Sequence, residues 1–359
     1  MNDCFSGSYA QARERFLAAA RAAGLPIESH LHPLRGIDGE TLAMDVVRDG
    51  PADARALLIV SSACHGIEGY CGSGVQVHTL RNTAWRDAAR AAGVAVLYIH
   101  ALNPWGFSHG RRVTHENIDI NRNFHDFSAP LPVNADYREI HDLLLPATWP
   151  PTAENQREIA AARERMGALA FQAAVSRGQY EYPQGLFFGG QAPSWSNTTL
   201  RGVLRAHGRQ CEQLAWIDLH TGLGPSGVGE RIFAGVNDAN DLARTRAWWG
   251  PGVTSIYDGS STSALLTGLM WMATADECPQ ARYTGIALEY GTLPFEQVTE
   301  ALRGDHWLAL HPEAEAGLQQ RIRQAIRDAF YTDTDAWRAQ ILQQADEALA
   351  QAVRGLQGA

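Results

Sequence analysis

The chain has 359 residues, 45% of them hydrophobic and 19% charged, which suits a globular protein with a substantial core. Thirty Lys and Arg against 39 Asp and Glu give a formal charge of −9, which argues against a general nucleic-acid-binding face. The opening MNDCFSGSYAQARERF lacks the basic-then-apolar order of a secretion signal, no stretch approaches the ~20 apolar residues of a membrane helix, and the five cysteines show no paired spacing. A reduced, cytoplasmic protein without membrane or nucleic-acid partners is expected. In chain order, Tyr9, Phe16, Leu17 and Ala20 recur at helical spacing and predict a helix over 8–23, ended by Gly24. Leu57–Val60 and Val94–Ile99 read as buried strands, with a helical stretch over 74–92 between them, which makes a strand–helix–strand unit. Residues 128–156 are rich in proline and read as a surface excursion, and 155–176 carries strong helix formers. Further strands are expected at 214–219, 231–236 and 285–290, and two helices over 312–356, broken near Thr332. Strands spread along the whole chain predict one α/β domain over 1–359, with a mixed, mainly parallel central sheet and peripheral helices at 8–23 and 312–356.

Four segments carry chemistry. Ser62–Gly69 follows the first strand and sets His65 three residues before Glu68, so one turn of backbone can aim both at one metal ion, with Gly66 and Gly69 leaving room. Alone, the pair also fits a helix-capping histidine and a solvated glutamate. Ile217–Gly222 ends a strand in His220, with Asp218 two residues earlier on the same face as a supporting carboxylate. Two His and one Glu with an open fourth position is a catalytic zinc set. Glu289 lies in an apolar strand, where a carboxylate is expensive to bury without a partner or a task; it suits a general base, or a buried ion pair with an arginine. Asn121 and Arg122 can grip a carboxylate, and Arg111 or Arg112 can polarise a carbonyl. Phe187, Phe188 and Trp195 suit a substrate funnel or core. A cysteine or serine hydrolase using Cys64, Ser61 or Ser62 is disfavoured, because Cys64 and His65 are adjacent and no G-x-S-x-G elbow is present.

The order His-x-x-Glu, Asn-Pro-x-Gly-Phe, Arg, Asp-x-Asn-Arg-Asn-Phe, strand-end His and strand Glu, over about residues 57–292, resembles the zinc carboxypeptidase A superfamily, which includes the aspartoacylase and succinylglutamate desuccinylase deacylases. FSGSYAQARERFLAAA and GLFFGGQAPSWSN are similar to an uncharacterised bacterial branch of it. The resemblance implies a zinc carboxypeptidase-like fold and one zinc ion per chain on His65, Glu68 and His220. It implies Glu289 as the activator of the attacking water, Arg112 rather than Arg111 at the carbonyl, and Asn121 and Arg122 on a substrate carboxylate. It also implies Tyr257, or failing that Tyr283, as a substrate contact. The expected activity is removal of a C-terminal residue from a small peptide. Alternatives are deacylation of an N-acyl amino acid with a free carboxylate, and a catalytically inactive ligand-binding protein of the same fold. Substrate side chain, oligomeric state and the metal used in the cell stay open.

Overall fold

The computed structural model describes residues 2–358, so Met1 and Ala359, the end positions of the expected 1–359 unit, lie outside the described residues. Seven strands, β1 (Ile27–Arg35), β2 (Thr41–Asp49), β3 (Ala56–Ser61), β4 (Val94–His100), β5 (Gln213–Ser226), β6 (Gly229–Phe233) and β7 (Arg282–Gly291), form one sheet in the order β1-β2-β4-β3-β5-β7-β6. The central strands β4, β3, β5 and β7 are parallel, while β2 and β6 run against their neighbours. The sheet is therefore mixed and mainly parallel, as the strand–helix–strand reading requires.

Thirteen helices follow the chain: α1 (Tyr9–Ala22), α2 (Gly69–Arg81), α3 (Thr83–Ala91), α4 (Pro104–His109), α5 (Ala135–Leu144), α6 (Ala153–Met166), α7 (Ala168–Ser176), α8 (Trp195–Gly208), α9 (Ala239–Trp249), α10 (Ala273–Glu277), α11 (Phe295–Leu310), α12 (Ala316–Phe330) and α13 (Asp335–Gln357). They cover both sheet faces, which is why the central strands are mostly apolar and carry their polar residues mainly towards the ends. In β3, Leu58 and Val60 enter one core with α1, α2 and α13, while Leu57 and Ile59 enter the other with α8 and α10.

Several expectations need correction. The helix over 74–92 is two helices, because Asn82 ends α2 and its side chain then accepts from the Trp85 N–H to cap α3. After β4 the chain forms the short helix α4, with Asn103 as N-cap and Pro104 in its first turn, an element the expected ones do not include. The terminal helices are not peripheral: Phe16 and Ala20 of α1 and Trp337, Ile341, Ala348 and Leu349 of α13 are buried in the main core. The hairpin β1–β2 has no counterpart in the expected elements, because edge strand β1 is mostly exposed and carries Pro33. Strand β6 ends at Phe233, short of the expected 236.

The sheet order matters for chemistry. From β3 the chain passes to β4 on one side and later to β5 on the other. The carboxyl ends of β3 and β5 thus flank a reversal in strand order, where open α/β sheets form their ligand crevice.

Candidate metal centre

The backbone leaves β3 through Ala63, a non-glycine residue with φ of 56°, a conformation that costs of order 1 kcal/mol or more and has to be held by its surroundings. Here the Leu102 N–H donates to the Ser62 carbonyl and the Asn103 N–H to the Ala63 carbonyl. A single 3₁₀ turn, Gly66–Glu68, follows. The Gly66 N–H donates to the Arg112 carbonyl and the Ile67 N–H to the Arg111 carbonyl, so the two arginines and the His65–Glu68 turn are locked together. Gly66 is required for this approach: a Cβ there would lie 2.1 Å from the Gly106 carbonyl carbon.

His220 reaches the same point from β5. Register pairs Ser61 with Asp218 across β3 and β5, and His220 with Glu289 across β5 and β7. One donor atom from each of His65, Glu68 and His220 falls within 4.8 Å of the others. That spacing suits one ion with bonds of about 2.0–2.2 Å. All three side chains are buried. Glu68 Oε1 lies 2.8 Å from His65 Nδ1, and Glu68 Oε2 lies 3.0 Å from His220 Nδ1. Both imidazoles therefore turn the same nitrogen towards one carboxylate, and this donor set fits a metal ion.

The outer ring nitrogens meet further carboxylates. His220 Nε2 pairs with Asp218, whose other oxygen accepts from Ser61, and Ser61 in turn accepts from the Trp216 indole at 2.7 Å. His65 Nε2 lies 3.3 Å from Asp119 Oδ1 and 2.7 Å from Arg112 Nη2. A proton on Nε2, given to Asp119 by His65 and to Asp218 by His220, would leave on Nδ1 the lone pair that a ligand needs; at His65 the Arg112 guanidinium, which can only donate, competes for the same nitrogen. Asp119 also accepts from Arg112 Nε at 3.1 Å and from the Asn121 N–H at 3.0 Å.

Charge is concentrated here. Burial alone would raise the Glu68 carboxyl, but His65 and His220 hold it well below the ordinary range. Burial opposes the charged His220 ring, yet Asp218 and Glu68 hold it well above its usual value. Asp119, also buried, is held low by Arg112, His65 and Arg122. Glu289 behaves oppositely: burial, then the nearby Glu68 charge, push it up to about 8. Its Oε1 accepts from the Leu223 N–H at 3.0 Å. Among the described residues Glu289 makes no ion pair, so the alternative of an arginine partner is not what the fold builds.

Seven of the expected residues, His65, Glu68, Arg112, Asn121, Arg122, His220 and Glu289, line a single cavity of about 80 Å³. Arg122 is buried, and its guanidinium donates to the Ser176 carbonyl through Nε (3.0 Å) and Nη2 (2.7 Å) and to the Asn121 carbonyl through Nη1 (2.7 Å). Among the described residues it has no ion pair. Asn121 is fixed by accepting from the Met270 N–H at 2.9 Å. Phe187, in a left-handed conformation with φ of 53°, sets its ring between Arg112 and Arg122, at 5.1 and 5.6 Å.

Other expected residues are not brought in. Arg111 is ion-paired with Asp305 at 2.9 Å and does not line the cavity. The Tyr257 hydroxyl donates to the Gly235 carbonyl at 2.9 Å, and its neighbour Ile256 lines the cavity instead. Tyr283 is half-buried elsewhere, beside Trp271 and Ala281. Of the funnel aromatics only Phe187 faces the cavity, while Trp195 packs on His32. The Ser62 hydroxyl donates to Gln76, and the buried Cys64 thiol is pushed well up by burial and by Asp218, Asp119 and Glu68. Asp119 and Ser61 are the residues that sequence reasoning left without their present roles. The signal for Asp119 was its place in the same motif as Asn121 and Arg122, and for Ser61 its strand-end position beside Asp218.

No curated protein matches the chain in sequence. The fold is similar to several solved structures. A provisionally assigned metallopeptidase from Shewanella amazonensis SB2B is 12% identical over 84% of this chain and 92% of that one, with a TM-score of 0.42. Thrombin activatable fibrinolysis inhibitor is 13% identical over 86% and 76%, at 0.45. A succinylglutamate desuccinylase/aspartoacylase from Rhodobacter sphaeroides is 12% identical over 80% and 65%, at 0.39. A family model described as "Protein of unknown function (DUF2817)" matches residues 5–344, and the chain belongs to that family.

Proposed function

We propose that this chain is a zinc-dependent amide hydrolase of the carboxypeptidase type, with one ion per chain, that removes a C-terminal residue from a small peptide. The observation that carries the reading is the buried guanidinium of Arg122, without an ion pair among the described residues, in one cavity with the His65–Glu68–His220 cluster and Glu289. A buried cation whose nearby carboxylate, Asp119, acts on it without a direct ion pair is still costly, and a substrate carboxylate would relieve it. One N–H on each Nη of Arg122 is left for such a ligand.

His65, Glu68 and His220 would hold the ion, with Asp119 and Asp218 orienting the two imidazoles. The ion, when bound, supplies Lewis-acid polarisation of the scissile carbonyl and positive charge at the reacting centre. Arg122 and Asn121 position the substrate by its carboxylate. Glu289 takes a proton from the attacking water and returns it to the leaving amine, a task that suits a carboxyl raised towards neutrality. Arg112, which lines the cavity where Arg111 does not, donates to the developing oxyanion.

Deacylation of an N-acyl amino acid is the second reading, favoured by the small inner cavity of about 80 Å³. We also read the chain as one catalytic unit, since strands from Ile27 to Gly291 share one sheet. Its five unpaired, buried cysteines suit the reducing cytoplasm. Among the described residues no helix is long and apolar enough to cross a membrane.

The test is hydrolysis of three substrate sets with added zinc: peptides with free C-termini, the same peptides amidated, and small N-acyl amino acids. Cleavage of the first or third set, abolished by a chelator and restored by zinc, is expected. Equal cleavage of free and amidated peptides would remove the carboxylate role of Arg122. A zinc-loaded protein inert towards all three, and indistinguishable from Glu289→Gln, would favour a ligand-binding protein of this fold.

A further inference from the structure

A second, larger cavity of about 670 Å³ lies beside the metal centre, between α6, α7 and α11. The two cavities share the walls Phe295 and Thr299. Helix α7 divides them along its length: Gln172 and Ser176 face the inner cavity, and Ala168 and Phe171 face the groove. Phe295 begins the helix that follows Glu289, so the groove opens off the reacting side of the centre. At about 80 Å³ the inner cavity has room for the scissile unit and little more, whereas the groove is in the ordinary size range of ligand pockets.

The groove has an apolar wall beside polar residues, among them Gln156, Glu164 and Thr299. Leu144, Ile159, Ala160, Ala168, Phe171 and Phe295 line it. Its basic side chains are already matched: Arg163 is ion-paired with Glu296, and Arg303 with Glu300, Arg303 also donating to the Leu143 and Leu144 carbonyls and to Asn155. No unpaired cation is left to hold an anionic ligand. Beside it, Leu169 on α7 is 83% exposed, which extends the apolar surface outward.

We propose that this groove binds a neutral, apolar extension of the substrate on the acyl side of the scissile bond, a long acyl chain. The proposal rests on the carboxylate end being held at Arg122; a substrate ended there extends through its acyl portion or through the side chain of the leaving residue, and the probes below vary the acyl portion alone. The natural substrate is then longer and more apolar than an acetylated amino acid. The shared walls Phe295 and Thr299 make the groove a continuation of the reaction site.

The test measures binding apart from turnover. N-acetyl-leucine and N-dodecanoyl-leucine are titrated by calorimetry into the zinc-loaded full chain carrying Glu289→Gln, with and without Ala160→Trp or Ala168→Trp. Both alanines are exposed, so an indole there fills the groove without entering the core. The dodecanoyl probe is expected to bind at least tenfold tighter than the acetyl probe, and either tryptophan should collapse that preference while leaving acetyl binding unchanged. Equal affinity for both probes, or a preference that survives both tryptophans, overturns the groove assignment. So does a dimer in light scattering that either tryptophan dissociates, which would give the groove to a second copy of the chain. Hydrolysis of the two probes by the chain with Glu289 intact is read separately. A retained tail preference without any hydrolysis of either probe leaves the groove standing and removes the deacylase reading.

Discussion

His220 and Glu289 stand side by side in register on the parallel strands β5 and β7, and both line the cavity that holds Arg122. The pairing fixes a candidate base next to a candidate ligand with no loop between them. Glu289→Gln conserves shape and removes the base. Its turnover of a cleaved substrate is expected to fall by about 10²–10⁴-fold, with zinc content unchanged by elemental analysis. A variant that keeps its rate would take Glu289 out of the reaction.

Metal content should follow the donor set and its supports. His65→Ala and His220→Ala are expected to be purified without stoichiometric zinc. Asp119→Asn and Asp218→Asn retain all three ligands but lose the carboxylates that orient the imidazoles. Their zinc affinity should fall by about 10–100-fold in competition with a chromogenic chelator. Full zinc affinity in both Asn variants would mean that these carboxylates do not set the tautomers.

Arg122→Leu separates charge recognition from catalysis. A hydrogen bond to a charged group contributes about 1.5–3 kcal/mol, so kcat/KM for a substrate with a free carboxylate should drop by roughly 10–100-fold. The amidated counterpart, which has no charge to lose, should change little. Parallel losses on both substrates would show a structural effect of the buried side chain.

Gly66→Ala tests the close approach of the His65–Glu68 turn to α4. The new methyl would meet the Gly106–Phe107 backbone at 2.1–2.2 Å. Overpacking of this kind typically costs about 1–3 kcal/mol, and relief by backbone movement would shift His65. Lower thermal stability together with lower zinc content is expected; unchanged values of both would contradict the tight packing.

Stability should also decline on the alkaline side. His78 on α2 faces Asp346 on α13 with contacts of 3.1 Å to both oxygens, and the Cys4 thiol lies on its other side, itself near Arg81 and Asp3. The hydrogen bond that His78 donates to Asp346, then that to Cys4, raises its pKa to about 9 from the ordinary 6.5. The sign follows from the charged form being favoured in the fold: the contribution is complete below about 6.5 and is lost as pH rises through about 9. With His78 partly solvated, screening leaves it on the order of 1 kcal/mol. Urea unfolding midpoints should fall between pH 6.5 and 9 in the natural chain, and less so in His78→Gln.

The strands that build the site were readable because both faces are covered. Leu57–Val60 and Val94–Ile99 are continuous apolar runs, Leu214–Leu219 is one interrupted only by Asp218, and each lies inside a central strand. The hairpin β1–β2 was not readable, since an exposed edge strand has no apolar alternation to detect. The C-terminal helices read as peripheral because amphipathic spacing tells which face is buried and not what it is buried against. In the site, the candidate ligands and the candidate base were visible as ionisable residues in or just after strands, where a polar group needs a task, and the candidate carboxylate clamp as the Asn121–Arg122 pair in a turn beyond β4.

By itself the sequence determined the class of fold, the donor types His65, Glu68 and His220, and the strand position of Glu289. Only the tertiary structure decided how they combine. Sheet order and register bring β3, β5 and β7 together, and so join residues far apart in the chain. The same packing separated Arg112 from Arg111, left Tyr257 and Tyr283 outside the cavity, and gave Asp119 its place beside His65. The physical reason is that a residue's type and local spacing fix what it can donate or accept, whereas its partners depend on which strands the two apolar cores bring side by side.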